Sequence, residues 1–143
     1  MNKNQSGFTL VELITTVAII GLLASIAWPA FERSSMKNRR SVGVTALLRA
    51  SQELQRCHSD NGGYIDKNGV DCQYTTVSTT AANPNHDYYT ILATVLTTDT
   101  FTLTATPKGA QAGDTECGKL TLNHLGQKGY TGTTTSLSRC WSN

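Results

Sequence analysis

The chain is expected to fold as an α+β protein, with a long N-terminal helix packed on a small antiparallel β-sheet. The first half of that helix is membrane-spanning and the second half amphipathic. Three patterns predict this. Residues 8–31 form an almost unbroken apolar run. Residues 44–58 carry apolar side chains at helical spacing. Between residues 88 and 125, short runs alternate apolar residues with threonine, the period of a strand with one covered face.

The apolar run follows a short polar leader that holds Lys3 and ends at Gly7. It is long enough to cross a bilayer as a helix, and no second stretch of the 143 residues approaches its length. A single-pass protein is therefore expected. Ala24 and Ala27 offer a faint secretory cleavage site, but a secretory signal has a shorter apolar core. Gly21 and Pro29 lie inside the run. Proline removes one backbone hydrogen bond and crowds the preceding turn, so a kink or a locally weak helix is expected there.

From Val44 onward, Val44, Leu47, Leu48 and Leu54 fall on one face with Ser51 and His58, while Arg49, Gln52, Glu53 and Arg56 fill the other. One side of such a helix packs on a domain. The helix is expected to run from residue 8 to about residue 60 and to stop by Asn61-Gly62-Gly63, since glycine accepts the left-handed conformation that ends helices. Residues 62–86, rich in Gly, Asn, Asp, Thr and Ser, read as a loop. Strands are expected at Tyr88–Leu96, Phe101–Thr106 and Lys119–Leu125, with Phe101, Leu103, Ala105, Leu120 and Leu122 facing inward. Thr97 to Thr100 forms the first turn, and the tail from Gly129 to Ser138 is too polar to pack alone.

Charge is unevenly spread. The formal net charge is +2, and it falls to +1 once residues 1–7 are removed with Lys3. Arg33, Lys37, Arg39, Arg40, Arg49 and Arg56 face only Glu32 and Glu53 between residues 31 and 57. Beyond residue 57, five Lys or Arg stand against seven Asp or Glu. This is a poor footprint for a dedicated nucleic-acid binder. The basic segment after Phe31 would, by the positive-inside rule, stay in the cytoplasm. The cysteines argue the reverse. Cys57, Cys72, Cys117 and Cys140 match no zinc spacing, and an even count favours disulfides in an exported domain. Of three pairings, Cys57–Cys72 and Cys117–Cys140 each close a local loop, the second contributing about 3 kcal/mol in the chain-entropy view. The basic segment then faces neighbouring subunits or lipid headgroups.

Glu12 is a carboxylate near the start of the apolar run. In a lone anchor it could reach the headgroups. Cleavage after Gly7 would instead create a free amine on Phe8. A buried amine and a buried carboxylate are each costly alone and tolerable as a pair, so Glu12 would set register between subunits by meeting a neighbour's Phe8 amine.

The sequence SGFTLVELITTVAIIGLLASIAWPAF resembles the N-terminus of type IV pilins almost residue for residue. The resemblance implies a leader at residues 1–7, cleaved after Gly7 by a prepilin peptidase, and N-methylation of Phe8. It also implies a filament-core helix over residues 8–31 and an exported domain over 32–143 that includes the amphipathic half of the helix. The Gly21–Pro29 stretch matches the part of the helix that loses structure in assembled pili of this family. This N-terminal signal is shared by major pilins, minor pilins and type II secretion pseudopilins. FTLTATPKGAQAGDTECGKLTLNHLGQKG with the Cys-Trp end is similar to PilE-type minor pilins, and Cys57 and Cys72 fall outside that pattern.

The other candidates are weaker. His58, His86 and His124 lack ligand spacing. Asp66 to Asp71 is a turn rather than a calcium loop. Lys108, Lys119, Lys128 and Arg139, with Tyr130 and Trp141 as stacking surfaces, could form a DNA-binding patch, but solvated lysines and core aromatics are the simpler account. No catalytic motif, metal site or cofactor is expected. The expected role is a structural subunit of a type IV pilus, most simply a minor pilin, held in the inner membrane with its C-terminal domain periplasmic before assembly into an extracellular filament. A major pilin, a pseudopilin and a DNA-binding competence pilin are the alternatives.

Overall fold

A computed structural model describes residues 8–65, 72, 77–78 and 87–141. It contains two compact units, one ending at Ser35 and the other beginning at Met36. Helix α1 spans Leu10–Asn61 and so contributes to both. Thr9 precedes its first turn, and the Thr9 hydroxyl accepts the Glu12 backbone N–H at 3.2 Å. Thr9 and Glu12 thus stand at the spacing of a capping box, and the helix begins two residues later than expected. It ends at Gly62, which adopts a φ of 74° and donates its N–H to the His58 carbonyl at 2.8 Å.

The helix runs through Gly21 and Pro29 without a break. The local weakening expected there is not a feature of the lone chain. One proline removes a single hydrogen bond, and the turns on either side remain intact.

Within the second unit, the sheet has the order β1-β2-β3-β4-β5, all neighbours antiparallel. Its strands are β1 (Val77–Ser78), β2 (Tyr89–Leu96), β3 (Phe101–Pro107), β4 (Leu120–Asn123) and β5 (Lys128–Tyr130). β2 and β3 form a hairpin with a register shift between Ala93 and Val95. The hairpin is closed by Thr97 and Thr100, whose hydroxyls lie 2.7 Å apart. Phe101, Leu103, Ala105, Leu120 and Leu122 are buried, as their alternation requires. They meet Val44, Leu47, Ala50 and Leu54 from the helix, with Tyr64, Tyr89 and Ile91 in the same core.

Leu48 departs from the expected face and is 37% exposed. The buried stripe runs through Arg40, Gly43, Val44, Leu47, Ala50, Ser51 and Leu54. At about 100° per residue, Leu48 points roughly a quarter-turn away from that stripe.

β4 is shorter than its alternating sequence. The Asn123 side chain accepts the Leu125 and Gln127 N–H groups at 3.1 and 2.9 Å, which starts the turn early and leaves Leu125 68% exposed. The polar tail is more ordered than its composition implies. β5 pairs Tyr130 with Leu120, and Thr131, Gly132, Thr133 and Thr134 donate their N–H groups to carbonyls of residues 115–119. Helix α2 (Leu137–Trp141) then buries Cys140 and Trp141. Disulfides join Cys57 to Cys72 and Cys117 to Cys140. β1 lies within the segment expected to be loop, and the Asp66–Asp71 turn falls outside the described residues.

Helix and sheet are tightly packed at Gly43, where an added Cβ would stand 2.8 Å from ring carbons of Tyr89. Tyr89 is fully buried, so a Gly43→Ala change is expected to destabilise the domain by about 1–3 kcal/mol through overpacking. Urea unfolding of the detergent-solubilised chain would measure it.

Candidate functional site

The apolar half of α1 displays its side chains all round. Phe8 is 83% exposed, and Leu10, Val11, Leu13, Ile14, Val17, Ile19, Ile20, Leu22, Leu23 and Ile26 are exposed with it. By length and composition this helix could cross a membrane. So large an apolar surface on one chain requires a cover from lipid or other subunits. Thr15, Thr16 and Ser25 turn their hydroxyls back onto the Glu12, Leu13 and Leu22 carbonyls at 3.0, 2.8 and 2.8 Å, so each has a partner within the helix. Glu12 is the one ionisable side chain in this run. Among the described residues it takes part in no ion pair. Gly7 lies outside the described residues.

The second unit is organised around a buried charge cluster that the sequence did not announce. Arg40 donates from Nε and Nη2 to the two Asp114 carboxylate oxygens, each at 2.7 Å, and from Nη2 to Glu116 at 2.7 Å. The Asp114 side chain is fully buried and that of Arg40 is 8% exposed. Gln111 and the Cys117 backbone N–H also donate to Asp114, at 2.8 and 3.2 Å. Glu116 reaches Arg139 of α2 at 3.0 Å. Burial alone would push the Asp114 carboxyl upward. The Arg40 hydrogen bonds, the Cys117 N–H, the Arg40 charge and Gln111 outweigh it and hold the group below the usual carboxylate range. In turn, the Asp114 hydrogen bond is the main influence holding the Arg40 guanidinium protonated. The Tyr89 hydroxyl beside this cluster is pushed up to about 12, by burial first and by the Asp114 charge second.

Arg39 and Arg40 were expected to belong to a basic surface facing lipid or neighbouring subunits. Instead Arg40 is an internal strut, and Arg39 lies over the Tyr88 ring at 5.3 Å and donates to the Ala110 carbonyl at 2.9 Å. The only sequence signal for the cluster was two acids one residue apart, Asp114 and Glu116, beside a cysteine.

The proposed basic patch is largely spent within the fold. Lys108 pairs with Asp87 at 2.6 Å, Arg139 pairs with Glu116, and Lys128 sits 5.4 Å above the Trp141 ring. Lys119 is exposed. The Tyr130 hydroxyl donates to the Thr134 carbonyl at 2.7 Å, and the Trp141 indole N–H to the Gly129 carbonyl at 3.0 Å. Both aromatics therefore hold the tail in place. His58 packs on Tyr64 at 4.5 Å and His124 on the edge of Phe101 at 6.4 Å. His86 lies outside the described residues, and among those described no group of side chains is arranged to hold a metal ion.

A protein-family profile described as type IV minor pilin ComP, DNA uptake sequence receptor, matches residues 29–121. The chain belongs to this type IV pilin family. The match takes in Arg40, Asp114, Glu116 and Cys117 but ends before Cys140 and Trp141. The prokaryotic N-terminal methylation motif matches residues 2–28 of the pilin.

Similar proteins include the fimbrial protein of Moraxella nonliquefaciens, 33% identical over 90 residues that cover 57% of this chain and 58% of that protein. The type IV major fimbrial protein FimA of Dichelobacter nodosus is 32% identical over 59% of this chain and 64% of its own length. The type IV major pilin PilE1 of Neisseria gonorrhoeae is 53% identical over 68 residues, 48% of this chain and 41% of its own. The pilin thus spans less than two thirds of the length of these relatives. The crystal structure of the Neisseria meningitidis non-core minor pilin PilV is similar over 73% of this chain and 94% of its own, with a TM-score of 0.51 and 26% identity.

Two outcomes test this site. An Asp114→Ala change strands the buried Arg40 charge and is expected to destabilise the domain by about 3–5 kcal/mol, read by urea unfolding. The pH dependence follows from the lowered Asp114 pKa. On acidification the unfolded chain takes up the proton first, so this contribution is full above about pH 4 and is lost as the pH falls through the lower folded value. Wild type is therefore expected to lose stability below pH 4 by an amount that Asp114→Asn no longer shows, measured by unfolding curves across pH 2–7.

Proposed function

We propose that this chain is a structural subunit of a type IV pilus, most simply a minor one, and that its mechanism is assembly rather than catalysis. The observation that carries this reading is the pairing of two parts. A methylation-motif helix exposes apolar side chains over its whole first half, and the domain that follows has its own core and two disulfides. Cleavage after Gly7 would free the Phe8 amine, which is then methylated. The apolar helix would rest in the inner membrane with the domain on the oxidising side, where its disulfides persist. Assembly would exchange lipid contacts for helix contacts with other subunits. In the dry core of the filament an unpaired Glu12 carboxylate is expensive, so it would dock where a neighbour's Phe8 amine lies and fix the register. Gly21 and Pro29 mark where the helix could loosen once neighbours take up its freed backbone groups.

A second reading, DNA binding during uptake, draws on the family's description as a DNA uptake sequence receptor. The ion pairs that occupy Lys108 and Arg139 weigh against a broad basic patch. The likeness to major pilins supports a third, that of the bulk subunit.

Mass spectrometry of filaments sheared from the cell surface separates these roles. A trace component beginning at methylated Phe8 is the expected result. Dominance would make the chain the major subunit, and absence from pili with processed protein in the membrane would make it a pseudopilin. Glu12→Ala is expected to reduce incorporation into pili by at least tenfold while the domain stays folded, and normal incorporation would sink the register role. DNA retention by the full chain that weakens steeply with salt would favour the uptake reading.

A further inference from the structure

We propose that Trp28 is an interfacial anchor that sets the depth at which the unassembled chain rests in the membrane. The inference builds on the single-pass reading above and adds a contact with the lipid headgroup region.

From Phe8 to Trp28 the chain advances about 20 residues, or about 30 Å at about 1.5 Å per residue. That equals the hydrocarbon thickness of a typical bilayer, about 30 Å. With Phe8 and its amine at one boundary, Trp28 stands at the other. Within this stretch the one ionisable side chain is Glu12, about one turn inside the first boundary and close enough for its carboxylate to reach water. Charge resumes at Glu32 and Arg33, one turn beyond Trp28.

Trp28 is 71% exposed, and Phe31, three residues on and so on the same side of the helix, is 70% exposed. Among the described residues nothing covers either ring. Tryptophan favours the interface because its ring is apolar while its indole N–H seeks a polar partner. Leucine or isoleucine at this position would fix no depth, since either is equally at home anywhere in the hydrocarbon.

Pro29 fits the same placement. It has no N–H to give to the carbonyl four residues earlier, that of Ser25. Ser25 spends its own hydroxyl on the Leu22 carbonyl at 2.8 Å. At the bilayer centre an orphaned Ser25 carbonyl would be costly. Within one turn of Trp28 it lies where interfacial water reaches. The proline and the tryptophan thus favour the same depth.

The test uses the processed full-length chain in phosphatidylcholine–phosphatidylglycerol vesicles whose acyl chains carry bromine near the headgroup or near the bilayer centre. Trp141 also fluoresces, so the Trp28 signal is the difference between wild type and Trp28→Phe. Trp28 touches no core, and an unchanged near-ultraviolet circular dichroism signal from the domain would verify the variant's fold. Shallow bromines are expected to quench Trp28 at least twofold more than deep ones. Equal or stronger quenching by deep bromines would overturn the anchor and leave the membrane span standing. No quenching by either would overturn the anchor together with the single-pass reading beneath it.

Discussion

A buried arginine cannot be left alone in a protein interior, and in this fold the demand of Arg40 organises everything around it. Its two donors to Asp114 draw the loop after β3 against the helix. Asp114 in turn takes the Gln111 amide and the Cys117 N–H. Cys117 is bonded to Cys140, and Glu116 holds Arg139. One guanidinium thereby sets the positions of the loop, the start of β4 and the C-terminal helix. Coulomb attraction alone would not hold such a pair, because desolvation opposes it. The bidentate geometry and the added donors to the carboxylate tip the balance.

The two ends of the long helix solve opposite problems. Its second half is covered on one side by a sheet that alternates apolar and threonine positions. Its first half is uncovered among the described residues. This division lets a chain with a small core form a domain while a long apolar surface stays exposed. Domain packing draws on residues from Met36 onward, whereas the apolar side chains of the first half remain exposed.

Much of this was legible in the residues. The apolar run, the helical spacing from Val44 and the alternation of Phe101, Leu103 and Ala105 are local patterns, and each formed the helix or strand it implied, with Leu48 the exception. Leu48 was misplaced because spacing defines a stripe only to within a quarter-turn, and burial of Gly43 and Ala50 moved the stripe away from it. Composition cannot reveal β5 and the ordered tail, because β5 pairs with β4 and residues 131–134 bond to carbonyls of residues 115–119. The charge cluster was missed for a similar reason. Arg40 looks like its neighbours Arg39 and Lys37 in the sequence, and only the fold decides which of them turns inward. Among the site residues, the cysteine pairings followed from loop locality, whereas the roles of Gly7, Phe8 and Glu12 depend on contacts with molecules other than this chain.

The separation of Arg40 from Asp114 also has a bearing on timing. The two residues lie 74 positions apart, and the Cys117–Cys140 bond closes only with the last few residues. A chain delivered from its N-terminus presents the Val44, Leu47 and Leu54 face long before the strands that cover it exist. During that interval Arg40 is hydrated, the helix is naked on its apolar side, and proteases and chaperones have access to it. Loss of residues 137–141 would therefore remove far more than one turn of helix, because Cys117, the Gly129 carbonyl and Glu116 would lose Cys140, Trp141 and Arg139 together.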